Sequence, residues 1–265
     1  MNILVTNDDG WESKGIRVLA NIMRQFGRVA VIAPKRPQSG RSTAVSIGAR
    51  PVAYKRVSPE GEDLVAYLDG TPASCVKFAI DEVFPSGTLD FVVSGINHGY
   101  NVATATNYSG TMGAAEEAAL NGIPAVGVSL GSMDPDADFS AVELFFPEIF
   151  AGLAKMARKG SGVSYNVNFP DIEAGSIKGV RVGHQGFGHW ENQFEPWDSS
   201  KGEAPREEGE TLYIMKGNFV DDTSASDTRA DHHIVEKGYI SITAQTIDRT
   251  SYDEVARVSS LDKDF

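Results

Sequence analysis

The chain has 265 residues, 41% hydrophobic and 23% charged, a globular balance with enough apolar content for one large domain or a domain with an appendage. Twenty-four basic residues against 36 acidic ones leave a formal charge of −12, which argues against a nucleic-acid backbone or an anionic membrane as the main partner. One cysteine, Cys75, excludes an intrachain disulfide and fits a reducing, cytoplasmic setting. No run of about 18 apolar residues predicts a membrane span. The start, MNILVTNDD, shows no basic stretch leading into a long apolar one, so a signal peptide is not expected.

Asn2 to Thr6 (NILVT) reads as a buried strand. Ser13 can cap a helix whose apolar face is Ile16, Leu19, Ala20 and Met23, with Gly27 as its stop. Val29 to Ala33 (VAVIA) is a second strand, closed by Pro34 and followed by a polar loop over 37–43. Residues 45–68 alternate around Pro59-Glu60-Gly61, which predicts a hairpin. Thr71-Pro72 opens a helix to about Val83, with Cys75, Phe78 and Ala79 on its apolar side. Asp90 to Ser94 is a strand, and the next helix starts at Thr111 and stops at Asn121-Gly122. Ala125 to Leu130 is a strand, 140–158 an amphipathic helix, and Ser164 to Phe169 a strand. Strands alternating with helices predict an α/β fold with a doubly wound, mostly parallel sheet, whose sites lie beyond the carboxyl ends of the strands. Past about residue 175 the texture changes. The expected division is a core over 1–175 and a C-terminal part over 176–265. The latter holds an irregular arm at about 185–227 and a closing helix and strand at 230–245 that return to the core or to a partner subunit.

Three clusters carry chemistry. In a regular strand the neighbours Asp8 and Asp9 would face opposite ways, but Gly10 lets the chain turn so that both converge. A divalent cation between them would remove their repulsion; the plain alternative is a solvated turn with one Asp as helix cap. "SGINHGYN" (94–101) follows the third strand of this type, offering Asn97 as a neutral oxygen ligand and glycines that permit close backbone approach; an ordinary Gly/Asn turn would look the same. "NYSGTMGAAEEAA" (107–119) opens a helix with two hydroxyls beside free N–H groups, an anion cradle, where a simple Ser/Thr cap would explain only one hydroxyl.

"TNDDG", "SG" at 39–40, "DGTPASCV", "VSGIN.G.N", "YSGTMGAA" and "NVNFP" stand in this order, and with them the sequence resembles the SurE survival-protein family of metal-dependent nucleotidases. The likeness is close over about residues 1–170 and looser through "DT…GYISIT" (227–243). It implies a Rossmann-like, SurE-like sheet with a C-terminal arm used in oligomerisation. It implies that Asp8, Asp9, Ser39 and Asn97 ligate one divalent metal per subunit, and that Asn7, Asn101, Ser109, Gly110 and Thr111 face the phosphate, with Asp8, Asp9 and Asn97 catalytic. The implied reaction is hydrolysis of nucleoside 5′- and 3′-monophosphates, and of short polyphosphate in some members, by water activated on the metal. An all-oxygen donor set suits magnesium or manganese, with calcium as a further candidate, over zinc or copper. Homodimers or homotetramers are implied, with a nucleotide monophosphate as small-molecule partner. Two departures stand out: "VATATN" replaces the usual glycine and acidic residues between Asn101 and Tyr108, and Arg229 stands where the family's Asp follows "DT".

Other residues read more plainly. His98 is either the general acid or a solvent-facing neighbour of a ligand. His232 and His233 are adjacent and so do not share a helix face, which argues against a metal site there. His184 and His189 belong to the surface of the arm, and Cys75, without a candidate base, to a packed helix. The arm's Phe187, Trp190, Phe194 and Trp197 either cover the site or pack on another subunit, the second being favoured by the resemblance; the Glu-rich run 203–210 is a solvated loop. Two competing activities remain: an aspartyl-phosphate phosphatase using Asp8, which normally wants an Asp-x-Asp spacing and a lysine, and a nucleotide-binding sensor without turnover.

Overall fold

The computed structural model describes residues 1–48 and 50–263. In chain order the elements are β1 (Asn2–Thr6), α1 (Lys14–Met23), β2 (Arg28–Pro34), β3 (Tyr54–Arg56), β4 (Leu64–Leu68), α2 (Pro72–Phe78), β5 (Phe91–His98), α3 (Gly110–Leu120), β6 (Ala125–Leu130), α4 (Ser140–Met156) and β7 (Val163–Phe169). They continue with β8 (Val180–Gly183), β9 (Gly188–Glu191), β10 (Phe194–Pro196), β11 (Tyr213–Met215), β12 (Asn218–Asp221), α5 (Asp231–Glu236), β13 (Ile240–Thr246) and α6 (Tyr252–Val258).

Nine strands form one sheet in the order β3-β4-β2-β1-β5-β6-β7-β13-β8. From β4 to β7 every pairing is parallel; β3 and β13 pair antiparallel with β4 and β7. The central strands are apolar almost end to end because both faces are covered. One face packs α1 and α4 through Ile16, Leu19, Phe146 and Phe150, and the other packs α2 and α3 through Val76, Cys75, Met112 and Ala115. The chain winds one way from β1 through β2 to β4 and the other way from β5 to β7. β1 and β5 therefore flank the point where the winding reverses. Loops leaving their carboxyl ends diverge to opposite faces and leave a crevice.

Local signals set the boundaries. The Ser13 hydroxyl accepts the Ile16 N–H and Thr71 accepts the Ser74 N–H, so both caps act as expected. Of the hairpin expected over 45–68, residue 49 lies outside the described residues, and only Tyr54–Arg56 and Leu64–Leu68 are strands. Three expectations need correction. The third parallel strand does not end at Ser94: β5 runs to His98, with a register shift between Gly95 and Asn97 that re-aims its last residues. The alanine helix begins at Gly110 with Ser109 as its cap. The stretch 185–227 is irregular only in part: β9 pairs with β12 and β10 with β11, two antiparallel ribbons, while residues 197–212 between β10 and β11 form no strand. β13 and β8 complete the main sheet of the same chain.

Candidate active site

The crevice between β1 and β5 holds the nominated residues. Asp8 and Asp9 lie in the turn after β1, where Gly10 adopts φ of 100° and reverses the chain. Asn7 supports that turn: its Oδ1 accepts the Gly10 N–H, and its Nδ2 donates to the Gly10 carbonyl and the Ser13 hydroxyl. Asn7 is fully buried and its side chain is spent, so it does not face a phosphate; it positions the two aspartates. The Gln38 N–H donates to the Asp8 carbonyl at 2.7 Å, which brings the Ser39-Gly40 loop against the same turn.

α3 arrives from the other side. Its glycine, Gly110, lies so close to Asp8 that a Cβ there would sit 2.8 Å from the Asp8 Cβ. Ser109 caps the helix by accepting the Met112 N–H at 3.0 Å. Thr111 is fully buried and donates its hydroxyl to Asp8 Oδ1. The expected cradle is thus divided: Thr111 holds Asp8, while Ser109 lines the open cleft. At the end of β5, Asn97 donates its Nδ2 to the His98 and Gly99 carbonyls, which leaves Oδ1 as its free group.

Asp8, Ser39, Asn97, Asn101 and Ser109 line one cleft of about 400 Å³. Asn101 is held by residues absent from the expectations. Its N–H donates to Asn168 Oδ1, its carbonyl accepts from Asn166 and Asn168 Nδ2, and its own Nδ2 donates to the Ser129 hydroxyl at 2.8 Å. All are buried, and the motif "NVNFP" holds the two asparagines. Because a serine hydroxyl donates as well as accepts, Asn101 can turn either end of its amide to the cleft. The arm supplies the outer wall through Trp190, Gln193, Met215 and Lys216. Lys216 pairs with Glu195 at 2.9 Å, but both are more than half exposed, so the pair is weak and the ammonium is free to meet an anion.

The electrostatics are unfavourable without a cation. Burial pushes Asp8 up to about 6, opposed by the Thr111 hydrogen bond and reinforced by the Asp9 charge. Burial also pushes Asp9 up to about 6, opposed by the His98 main chain. Asp9 Oδ2 is buried without a hydrogen-bond partner. An orphaned carboxylate oxygen beside a second buried carboxylate, with Asn97 Oδ1 free and the Ser39 hydroxyl in the same cleft, fits a hard divalent cation. His98 lines the cleft; burial lowers it from its ordinary value, so it is neutral at neutral pH and is not a ready proton donor. Cys75 is fully buried, and burial pushes its thiol up, which fits packing and no nucleophilic role.

The sequence matches the family described as survival protein SurE over residues 3–192. The chain belongs to the SurE family. It is 38% identical over 267 residues to the 5′-nucleotidase SurE of Cytophaga hutchinsonii, covering 97% of this chain and 95% of that one. With the 5′-nucleotidase SurE of Phocaeicola vulgatus it shares 40% identity over 253 residues, covering 94% and 92%. The crystal structure of the SurE protein from Aquifex aeolicus superposes with a TM-score of 0.80 at 26% identity, over 99% of this chain and 100% of that one. The SurE likeness read from the motifs is therefore shown, as is the α/β fold with its mostly parallel sheet. The doubt at Arg229 has a structural answer: two residues on, the fully buried Asp231 accepts the Ala103, Gly186 and His232 N–H groups through Oδ1. Among the described residues no helix is long and apolar enough to cross a membrane.

The raised aspartates predict how metal-free stability depends on pH. Both are protonated more readily folded than unfolded, so their contribution is fully present below about pH 4 and is lost as pH rises through about 6. Metal-free protein should lose on the order of 2 kcal/mol between pH 5 and 7.5 from this pair, and Asp9→Asn should stabilise it at pH 7.5. Urea unfolding with a chelator present checks this; a flat profile, or a destabilised Asp9→Asn, would show the pair is not strained.

Proposed function

We propose that the protein hydrolyses nucleoside 5′-monophosphates to nucleoside and inorganic phosphate, using a divalent cation held by Asp8, Asp9, Ser39 and Asn97. The observation that carries this is the buried Asp8 meeting the start of α3 in the cleft, with the unpartnered Asp9 oxygen next to it in the chain. The names of its close relatives support the substrate class. Magnesium or manganese suits the oxygen donors best, with calcium third. Nucleoside 3′-monophosphates and short polyphosphate are included as further substrates, and the "VATATN" segment as the place where preference departs from the relatives.

The residues divide the work. Ser109 and the Gly110 end of α3 bind non-bridging phosphoryl oxygens, favoured by the positive end of an eleven-residue helix. Thr111 keeps Asp8 ionised and fixed. Asn7 and Gly10 set the angle of the aspartates, and the Asn166–Asn168 pair sets that of Asn101. Asp9 offers its unpartnered Oδ2 to the ion. Trp190, Tyr108 and Met133 wall the cleft where the nucleoside would lie and reduce water access to it. When bound, the divalent ion neutralises phosphoryl charge and lowers the pKa of water.

Activity toward a panel of 5′- and 3′-monophosphates and polyphosphate should vanish with a chelator and return with manganese but not with zinc. Asp9→Asn should lose about a hundredfold or more of kcat/KM. Near-wild-type turnover by Asp9→Asn in excess manganese would remove its role, and tight nucleotide binding without turnover would leave a sensor.

The same reading includes a homodimer or homotetramer built through the C-terminal part. Phe187, Phe194 and Met215 in the arm are 65%, 65% and 66% exposed, and α6 buries none of its residues. Surfaces this apolar call for a partner. Light scattering should give a multiple of the chain mass, reduced on deleting residues 250–265; a monomer at micromolar concentration would overturn it.

A further inference from the structure

We propose that Asp221, His232 and His233 form a second metal site, for a borderline transition ion of the zinc and cobalt class, which clips the arm to the core. Among the described residues this is the one place where three His, Cys, Asp or Glu side chains bring ligand atoms within 4.8 Å of one another. The expectation that adjacent histidines diverge is corrected here. In the first turn of α5 the two rings lie 4.2 Å apart, and both reach one carboxylate on β12. His232 Nε2 is 3.0 Å from Asp221 Oδ1 and His233 Nε2 is 2.8 Å from Asp221 Oδ2.

The second nitrogens carry the argument. His233 Nδ1 is 2.6 Å from the Asp227 carbonyl, an acceptor only, so Nδ1 holds a proton; this bond and the one to Asp221 raise the ring from its ordinary value, and an ion would take the place of the Nε2 proton. His232 is only 6% exposed, yet neither of its ring nitrogens makes a hydrogen bond. Its Nδ1 lies 3.5 Å from Asp231 Oδ1, and Asp231 Oδ2 is itself buried without a partner. Both Nε2 atoms therefore lie within 3.0 Å of one shared carboxylate with an oxygen near each Nδ1, and His233 has the oriented form in which an outer oxygen fixes a metal-ligating imidazole. Gly186 keeps the space: a Cβ there would fall 2.3 Å from the His232 ring. Tetrahedral ligands about 2.1 Å from an ion are about 3.4 Å apart, so small outward shifts admit one.

Two imidazoles and a carboxylate select a softer ion than the all-oxygen site does, and leave a fourth position open. That position faces a cavity of about 620 Å³, which shares His98, Tyr100 and Trp190 with the active-site cleft. β12, which carries Asp221, pairs with β9, which carries Trp190. An ion here ties this ribbon to α5 and steadies one wall of the cleft.

The test titrates cobalt into full-length, chelator-stripped protein with saturating magnesium present, reading visible d–d absorption and stoichiometry. One equivalent with visible bands is expected in the wild type and in Asp9→Asn, and its loss in both Asp221→Ala and His233→Leu. Asp221 is 37% exposed, so its variant is expected to keep the fold, as circular dichroism would verify. Unchanged cobalt binding by folded Asp221→Ala, or no magnesium-resistant equivalent in the wild type, would overturn the proposal.

Discussion

Two neighbouring carboxylates, Asp8 buried and Asp9 partly so, are the constraint around which the molecule is arranged. Removing a charge from water is costly unless it is paired; Asp8 is buried and Asp9 half-buried with one oxygen out of water, and no cationic side chain is among their hydrogen-bond partners. The protein meets part of the cost with the Thr111 hydroxyl and the start of α3. What is left, an orphaned Asp9 oxygen and two raised carboxyl groups, is instability stored at a functional site. A site relaxed without its cation would have no comparable reason to bind one.

The sheet makes that arrangement affordable. With winding reversed between β1 and β5, loops from both strands and the start of α3 converge without any of them crossing the core. Close backbone approaches secure the convergence. A Cβ on Gly15 of α1 would fall 2.4 Å from the Ile96 carbonyl, and one on Gly113 of α3 would fall 2.0 Å from the Ser42 carbonyl. The first holds the end of β5 that presents Asn97; the second holds the loop that follows Ser39. Core packing thus transmits directly to ligand position.

Much of this was legible because it is local. Apolar runs, Ser13, Thr71 and Gly10 announce strands, caps and a turn within a few residues of where they act. The start of α3 is not local information, because Ser109, Gly110 and Thr111 all suit a helix start and only the packing of Gly110 and Thr111 against Asp8 decides. The resemblance implies phosphate contacts for Asn7 and Thr111; that their bonds are spent on the turn and on Asp8 is a tertiary fact. The arm's ribbons were missed for the same reason. β9 and β12 pair across 26 intervening residues with no tight turn between them. His232 and His233 meet a carboxylate from another element, which helical spacing cannot show.

The arm joins both halves of the picture, walling the cleft with Trp190 and Lys216 while keeping apolar side chains outward. The central claim concerns the cation, and the most direct measurement is anomalous diffraction from a crystal soaked in manganese, with data on both sides of the metal's absorption edge. The account predicts an anomalous peak bounded by Asp8, Asp9, Ser39 and Asn97, beside Ser109. Side chains of Asp8 and Asp9 turned apart, with no anomalous density between them at saturating manganese, would contradict it.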